Sequence, residues 1–140
     1  MNDEERFKQG MTVRRAVLGD AWVDRAQAKR NSFTAEFQDF ITRYAWGEVW
    51  SRPGLDRRSR SLMTLAMMIT LGRWDEFRLH IRAAVNNGLT TAEIKEVIMH
   101  SAIYAGLPAA NSAFAEAADA LGACGIDIDA EASIGAPPDR

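Results

Sequence analysis

The sequence predicts an all-α domain of six to seven helices. Apolar residues recur at helical spacing in one segment after another, and no segment shows the strict apolar/polar alternation of a half-buried strand. Glycines, prolines and capping residues divide the chain into pieces of helical length. The chain has 140 residues, of which 47% are hydrophobic, so it can bury one core without disulfides or metals.

The N-terminal part contains three predicted helices. Residues 3–18 carry a weak apolar stripe that ends at Gly19, and a short helix follows over residues 21–28. Ser32 is the candidate N-cap of the third helix, because its hydroxyl can accept a backbone N–H of the first turn. The apolar residues of that helix, at spacings of i, i+4, i+7, i+8 and i+11, are Phe33, Phe37, Phe40, Ile41 and Tyr44. Arg52-Pro53-Gly54 then breaks the chain.

The central part contains two further helices. The first begins after Asp56, runs to Gly72 and is apolar on almost every side. Such a helix is expected to lie at the centre of the fold. Its apolar residues are Leu62, Met63, Leu65, Ala66, Met67 and Ile69. The second spans residues 74–85 and is closed by Asn86-Asn87-Gly88.

The C-terminal part adds two helices and a tail. Thr90 and Glu93 form a capping box that opens a helix ending before Gly106. An alanine-rich helix follows to Leu121, and its small side chains permit close packing. Glycine, proline and aspartate dominate afterwards, which predicts a domain over residues 1–125 and a flexible tail over residues 126–140.

Composition excludes several classes of function. The chain has 17 Lys and Arg against 19 Asp and Glu, so no basic surface for nucleic acid is expected. Cys124 is the only cysteine, which excludes an internal disulfide and a CxxC pair. With two histidines it cannot fill a tetrahedral zinc site without carboxylates. The acidic N-terminus does not resemble a signal peptide, and the longest apolar stretch, residues 62–71, is half a membrane span. These features predict a cytoplasmic protein without a membrane segment or metal.

The densest polar cluster lies at the start of the fifth helix. Glu76 and His80 are four residues apart and share one side of the helix, with Arg73 one turn earlier. A carboxylate beside an imidazole and a cation is a plausible acid/base arrangement. A surface Glu–His pair at a helix start explains the same pattern, and the spacing does not choose between them.

A second candidate region surrounds two tryptophans. Trp46 and Trp50 flank Glu48, and Arg52 follows just beyond them. Two aromatic rings around a carboxylate suit a pocket wall, although two core aromatics at a helix end would give the same sequence. His100 is interpreted as a structural or solvated histidine.

Three motifs together resemble the 4-carboxymuconolactone decarboxylase family. They are Trp46-Gly47-Glu48-Val49-Trp50-Ser51-Arg52-Pro53-Gly54-Leu55, Asp75-Glu76-Phe77-Arg78-Leu79-His80 and Tyr104-Ala105-Gly106-Leu107-Pro108-Ala109-Ala110-Asn111. The likeness covers about residues 5–122. It implies an alkyl-hydroperoxidase-D-like all-α fold, a homohexamer and catalysis without metal or organic cofactor.

The resemblance also implies a reaction, which is loss of CO2 from 4-carboxymuconolactone to give 3-oxoadipate enol-lactone in the protocatechuate branch of the β-ketoadipate pathway. Thiol peroxidases of the same superfamily carry Glu, CxxC and His around one site. If His80 matches their histidine, the cysteine positions fall on Arg73 and Glu76 and the glutamate position on Ser61. The sequence therefore lacks the thiol chemistry of those relatives.

This reaction suggests a role for each candidate residue. His80 is expected to donate the proton or bind the oxyanion, with Glu76 orienting it and raising its pKa, and Glu48 is the second acid/base candidate. The candidate substrate-binding residues of the dicarboxylate lactone site are Arg73, Arg52, Trp46, Trp50 and Tyr104. Two alternatives remain open, namely a related decarboxylase or lactone-processing enzyme acting on another acidic lactone, and a non-catalytic oligomer that binds a metabolite.

Overall fold

A computed structural model describes residues 1–130 of the chain. Residues 131–140, the larger part of the predicted tail, lie outside the described residues. The helices are α1 (Asp3–Leu18), α2 (Asp20–Ala28), α3 (Ala35–Ile41), a π-helix (Thr42–Val49), α4 (Arg57–Leu71), α5 (Trp74–Asn86), α6 (Thr91–Ala105) and α7 (Leu107–Ala123). The π-helix continues α3 without a break, so residues 1–130 contain seven continuous helical segments of seven or more residues, a short helical stretch at residues 128–130, and no strand. The all-α prediction is confirmed.

The chain divides into two compact units, Met1–Arg57 and the part that begins at Arg58. In the first unit, α1 packs along the π-helix with the two backbones in contact. A β-carbon on Gly10 would lie 1.9 Å from the carbonyl oxygen of Thr42, and one on Gly47 would lie 2.4 Å from that of Arg6. Only glycine fits at these two positions without moving a backbone.

The third helix of the first unit begins later than predicted. Thr34 is the N-cap of α3 and makes no side-chain capping bond. The Asn31 side-chain oxygen accepts the backbone N–H groups of Phe33 and Thr34, both at 3.0 Å. The prediction that Ser32 caps this helix is therefore wrong. The Asn31 side chain accepts the backbone N–H two residues later and stabilises the turn that precedes α3.

The aromatic residues on α3 and in the turn just before it have no cover within the described chain. Phe33 is 94% exposed, Phe37 and Phe40 are also exposed, and α3 itself buries no residue. The periodicity identified a helix with an apolar face, but that face does not lie in the core.

The second unit has its own hydrophobic core between α4, α5, α6 and α7. The core residues are Leu65, Ile69, Phe77, Ile81, Ala84, Leu89, Ile94, Ile98, Ala110, Ala113, Ala117, Ala120 and Leu121. The alanines of α7 allow α5 and α6 to pack closely against it. Ile126 also packs on this core, so the chain remains in contact with the unit at the first residue of the predicted tail.

The position of α4 differs from the prediction. Leu65 and Ile69 are fully buried, but Met67 is 57% exposed and Leu71 is 66% exposed. The expectation that α4 lies at the centre of the fold is wrong. A unit of four helices packs one side of α4 and leaves its other apolar side uncovered.

Two arginines connect the helices of the second unit. Arg58, at the start of α4, donates to the carboxylate of Glu93 and to the carbonyl oxygen of Gly88. Glu93 also completes the predicted capping box with Thr90, which is confirmed. Arg78 of α5 pairs with Glu116 and Asp119 of α7. Within residues 1–130, no helix is both long enough and apolar enough to cross a membrane.

Candidate active site

The start of α5 presents the predicted Arg73, Glu76 and His80 cluster on one side of the second unit. Gly72, with a φ of 68°, turns the chain after α4, and Arg73 occupies the N-cap position without a side-chain capping bond. Phe77 anchors the helix because its ring is fully buried and meets Trp74 edge-on, with centroids 5.5 Å apart. Arg73 and Glu76 are exposed, whereas His80 is half-buried.

The environment of His80 keeps its imidazole neutral. Burial lowers the pKa of His80 from 6.5 to about 4, and the Glu76 carboxylate opposes this by a smaller amount. Glu76 therefore acts in the predicted direction, but the cost of desolvating the imidazolium outweighs it. A neutral imidazole has one N–H donor and one acceptor nitrogen, so it can stabilise a developing oxyanion or transfer a proton. It does not carry a positive charge before the reaction begins, so it does not act as an imidazolium acid.

This pKa gives a testable dependence of stability on pH. Between about pH 6.5 and 4 the unfolded chain binds a proton at His80 that the folded chain does not, so the free energy of unfolding falls as the pH falls through this window. The His80→Gln variant has no titrating group there and should show a smaller fall. Urea unfolding of both proteins at several pH values measures the difference. Equal falls in both proteins would contradict the buried, neutral imidazole.

The second group of predicted residues lies in the first unit, on the π-helix and just after it. Trp46 is buried and Trp50 is half-buried, and their rings lie 5.2 Å apart. The backbone N–H of Trp50 donates to the carbonyl oxygen of Ala45, five residues earlier, at 2.9 Å. π-Helical turns occur frequently at functional sites. Arg52 is exposed in the turn that follows the π-helix.

The carboxylate of Glu48 is held by an arginine that the sequence did not identify. Arg6 of α1 donates through Nε to Glu48 Oε2 at 3.2 Å, and its guanidinium also pairs with Asp3. The hydrogen bond to Glu48 is the largest cause of the raised pKa of Arg6. The two residues are 42 positions apart, and no local pattern links them. If Glu48 acts as an acid or a base, its carboxylate does so while it is paired with Arg6.

Tyr104 lies on α6, in the same unit as the α5 cluster. Its side chain is 79% exposed and its ring is 5.1 Å from that of His100, which is exposed as well. A residue this exposed is not enclosed by a pocket of its own chain. Cys124, at the end of α7, is a half-buried free thiol. Among residues 1–130, no three His, Cys, Asp or Glu side chains are placed to hold a metal ion.

Comparison with known proteins supports the relationship that the motifs suggested. The model of the carboxymuconolactone decarboxylase family matches residues 35–119, which include both groups of candidate residues. The chain belongs to the carboxymuconolactone decarboxylase family. Family membership accounts for the order of the three motifs along one helical chain.

Individual relatives are similar over most of the chain. A 4-carboxymuconolactone decarboxylase from Acinetobacter baylyi is 54% identical over 126 residues, covering 90% of this chain and 94% of its own. A nitrosuccinic acid decarboxylase from Metarhizium robertsii is 47% identical over 110 residues, covering 76% of this chain and 77% of its own. A 4-carboxymuconolactone decarboxylase sequence from Pseudomonas putida is 56% identical over 48 residues, which is 34% of this chain and the whole of that sequence.

Proposed function

We propose that the protein decarboxylates 4-carboxymuconolactone to 3-oxoadipate enol-lactone and CO2, without metal or organic cofactor, in the protocatechuate branch of the β-ketoadipate pathway. The observation that carries this proposal is the similarity to the Acinetobacter enzyme, with 54% identity over 90% of the chain. A match of that length includes the α5 cluster and the tryptophan region together. A cytoplasmic location and assembly as a homohexamer are part of the proposal.

The chemistry of the substrate explains what the protein has to supply. The carbon that loses CO2 is conjugated through a ring double bond to the lactone carbonyl. The electron pair of the broken carbon–carbon bond can therefore move to that oxygen and form a furanolate-like dienolate. The protein must bind a dianion, stabilise the new oxyanion and deliver a proton to the ring carbon beside the lactone carbonyl. Preorganised hydrogen-bond donors serve the first two tasks.

The neutral His80 fits the oxyanion better than the role of a cationic acid. Its N–H can donate to the lactone oxygen as charge develops there, and this raises the pKa of the imidazole while the anion is present. Glu76, one turn away on the same side of α5, favours the charged form of His80 and so supports a proton relay in the second step. Glu48 remains the second acid/base candidate.

The carboxylates of the substrate require two different environments. Arg73 and Arg52 are the candidates for the carboxylate that is retained, since a guanidinium matches its planar geometry. The carboxylate that leaves should meet apolar surface, because a salt bridge there would stabilise the ground state more than the transition state. The candidate residues for this apolar surface are Trp46, Trp50 and Tyr104.

We expect Arg73→Ala to raise KM by roughly 10–100-fold and to leave kcat nearly unchanged, the result of losing about 1.5–3 kcal/mol from a charge-assisted hydrogen bond to a spectator carboxylate. Arg73→Lys keeps the charge but loses the planar fork, so its KM should lie between those of the other two proteins. Steady-state kinetics measure both variants. A fall in kcat at constant KM would place Arg73 at the oxyanion instead.

The direct test is an assay with enzymatically prepared 4-carboxymuconolactone in the presence of EDTA, following CO2 release and enol-lactone formation. Turnover well above the spontaneous rate is expected. A folded oligomer that binds the lactone without turnover would refute catalysis and favour the metabolite-binding alternative.

A second candidate function is decarboxylation of nitrosuccinic acid, favoured by the 47% identity to the Metarhizium enzyme. The two reactions make similar demands on the site. Loss of CO2 from the carbon that bears the nitro group leaves a nitronate, so this substrate also carries its own electron sink and keeps a second carboxylate. Comparing kcat/KM for the two acids decides between them, and a higher value for the lactone is expected.

A further inference from the structure

The first unit contains a buried arginine whose charge is balanced by no carboxylate of the described chain. Arg14, on α1, is 4% exposed. Within residues 1–130 it forms no ion pair, and its guanidinium makes one hydrogen bond, from Nη2 to the side-chain oxygen of Gln38 on α3 at 3.3 Å. Its Nε is buried and has no partner among these residues. A charge removed from water without an opposite charge is costly, so Arg14 requires a compensating group.

The ion pairs around Arg14 do not supply that group. Arg15, the next residue of α1, pairs with Asp20 and Asp24 of α2 at 3.0 and 2.9 Å. Arg30 donates to both carboxylate oxygens of Asp39, at 2.7 and 2.9 Å. Each of these three carboxylates is therefore already paired with another arginine.

The electrostatic environment of Arg14 is positive. Burial is the largest cause that lowers the pKa of Arg14, and the positive charges of Arg15 and Arg30 lower it further. The guanidinium nevertheless stays protonated, because its ordinary pKa is above 12. An anion within hydrogen-bond distance would offset both the desolvation and the repulsion.

Two neutral side chains beside this guanidinium also have hydrogen-bond donors to offer. Arg14 Cζ lies 5.8 Å from the centroid of the Trp22 ring on α2. The side-chain oxygen of Gln38 accepts from Arg14, which leaves the amide N–H groups of Gln38 as donors. Neither those groups nor the indole N–H of Trp22 has a hydrogen-bond partner within residues 1–130. Gln38 and Trp22 are half-buried, so solvent reaches this site beside them.

We propose that Arg14 is the centre of a carboxylate-binding site at which α1, α2 and α3 meet, with Gln38 and Trp22 as additional donors. The planar fork of a guanidinium matches a carboxylate and can hold both of its oxygens. One unpaired positive charge balances a singly charged carboxylate, whereas a phosphate group carries nearly two negative charges. The ligand is a small carboxylic acid in its ionised form. These three residues lie outside the candidate active site, and the inference does not rest on the proposed reaction.

Thermal unfolding in acetate tests the site, with sodium chloride at the same ionic strength and neutral pH as the reference. We expect 50 mM acetate to raise the Tm of the unmodified chain by at least about 3 °C, which corresponds to a Kd of about 10 mM. Arg14→Met replaces the charge by an apolar side chain and should abolish this rise. Its Tm in chloride should equal or exceed that of the unmodified chain, because no buried charge is left unpaired. The matched control is Arg15→Met, which removes the adjacent paired arginine and should keep the rise.

A second variant supplies the anion within the chain. Gln38→Glu places a carboxylate of the same side-chain length where Arg14 Nη2 already donates. We expect its Tm in chloride to exceed that of the unmodified chain, and we expect acetate to have no further effect because the new carboxylate takes the place of the ligand. Gln38→Met, which adds no charge, should not raise the Tm. Far-UV circular dichroism checks that each variant is folded.

Three results would overturn the inference. The first is an equal response of the unmodified chain and Arg14→Met to acetate, as expected of a general salt effect on folded proteins. The second is a folded Gln38→Glu protein that is less stable than the unmodified chain, since a guanidinium without an anion should gain from the new carboxylate. The third is a Tm that rises with protein concentration but not with acetate, which would assign the balancing carboxylate to another chain. None of these measurements uses decarboxylase activity, so failure of the proposed reaction would leave the carboxylate site untouched.

Discussion

Replacing His80 by alanine is expected to lower kcat by roughly 10²–10⁴-fold, the usual contribution of a positioned acid/base group. The imidazole is half-buried and neutral, with a pKa near 4. Water therefore competes less for its N–H than it would at an exposed histidine, and the N–H can donate to the developing oxyanion. Alanine removes that donor and leaves water in its place. Initial rates with 4-carboxymuconolactone measure the effect.

The control for this variant is Leu79→Ala. Leu79 is the preceding residue of α5 and is also half-buried, so its truncation removes packing from the same helix turn but leaves the imidazole. We expect its kcat to stay within about fivefold of the unmodified value, since only a side chain that touches the reacting atoms should cost more. A loss of less than about fivefold in a folded, assembled His80→Ala protein would remove His80 from the mechanism.

Gly10→Ala is expected to have the largest effect on stability. Its β-carbon would lie 1.9 Å from the Thr42 carbonyl oxygen and 3.0 Å from the Gly47 amide nitrogen, and both are backbone atoms. The π-helix would have to move away from α1, which separates the pair of helices that builds the first unit. We expect a loss of at least about 3 kcal/mol in the free energy of unfolding, above the usual range for point mutations. Urea unfolding followed by circular dichroism measures it.

The chain offers a matched glycine for comparison. Gly122 lies within α7, and a β-carbon there meets no atom within 4 Å. Gly122→Ala should leave stability unchanged or raise it by about 0.5–1 kcal/mol, because alanine favours a helix over glycine. If Gly10→Ala proved as stable as Gly122→Ala, the close contact of α1 with the π-helix would be wrong.

Much of the helix pattern could be predicted because its signals are local. Gly19 and Gly106 separate helices where positive φ angles of 90° and 104° are required. The Thr90 and Glu93 capping box involves residues only three apart. Ser32 failed as a cap because Asn31, one residue earlier, competes for the same backbone N–H groups. Both residues can be read from the sequence, but the turn geometry that decides which of them accepts the backbone N–H groups cannot.

The candidate site was predicted in part. The α5 cluster follows from helical spacing, and Arg73, Glu76 and His80 lie along the N-cap and first two turns of α5. The direction of the His80 pKa shift did not follow, because it depends on how much water reaches the imidazole rather than on the neighbouring carboxylate. The pairing of Arg6 with Glu48 and the π-helical form of residues 42–49 likewise depend on contacts between distant segments.

By itself, then, the sequence determined that the chain is helical, where most helices end, and which motifs it shares with its family, since capping, periodicity and residue order are written along the chain. Tertiary structure alone decided which apolar faces are buried. Phe33 and Met67 belong to apolar patterns with helical spacing, yet both are exposed. Burial depends on what packs across from a side chain, and for these faces no helix among the described residues supplies that partner.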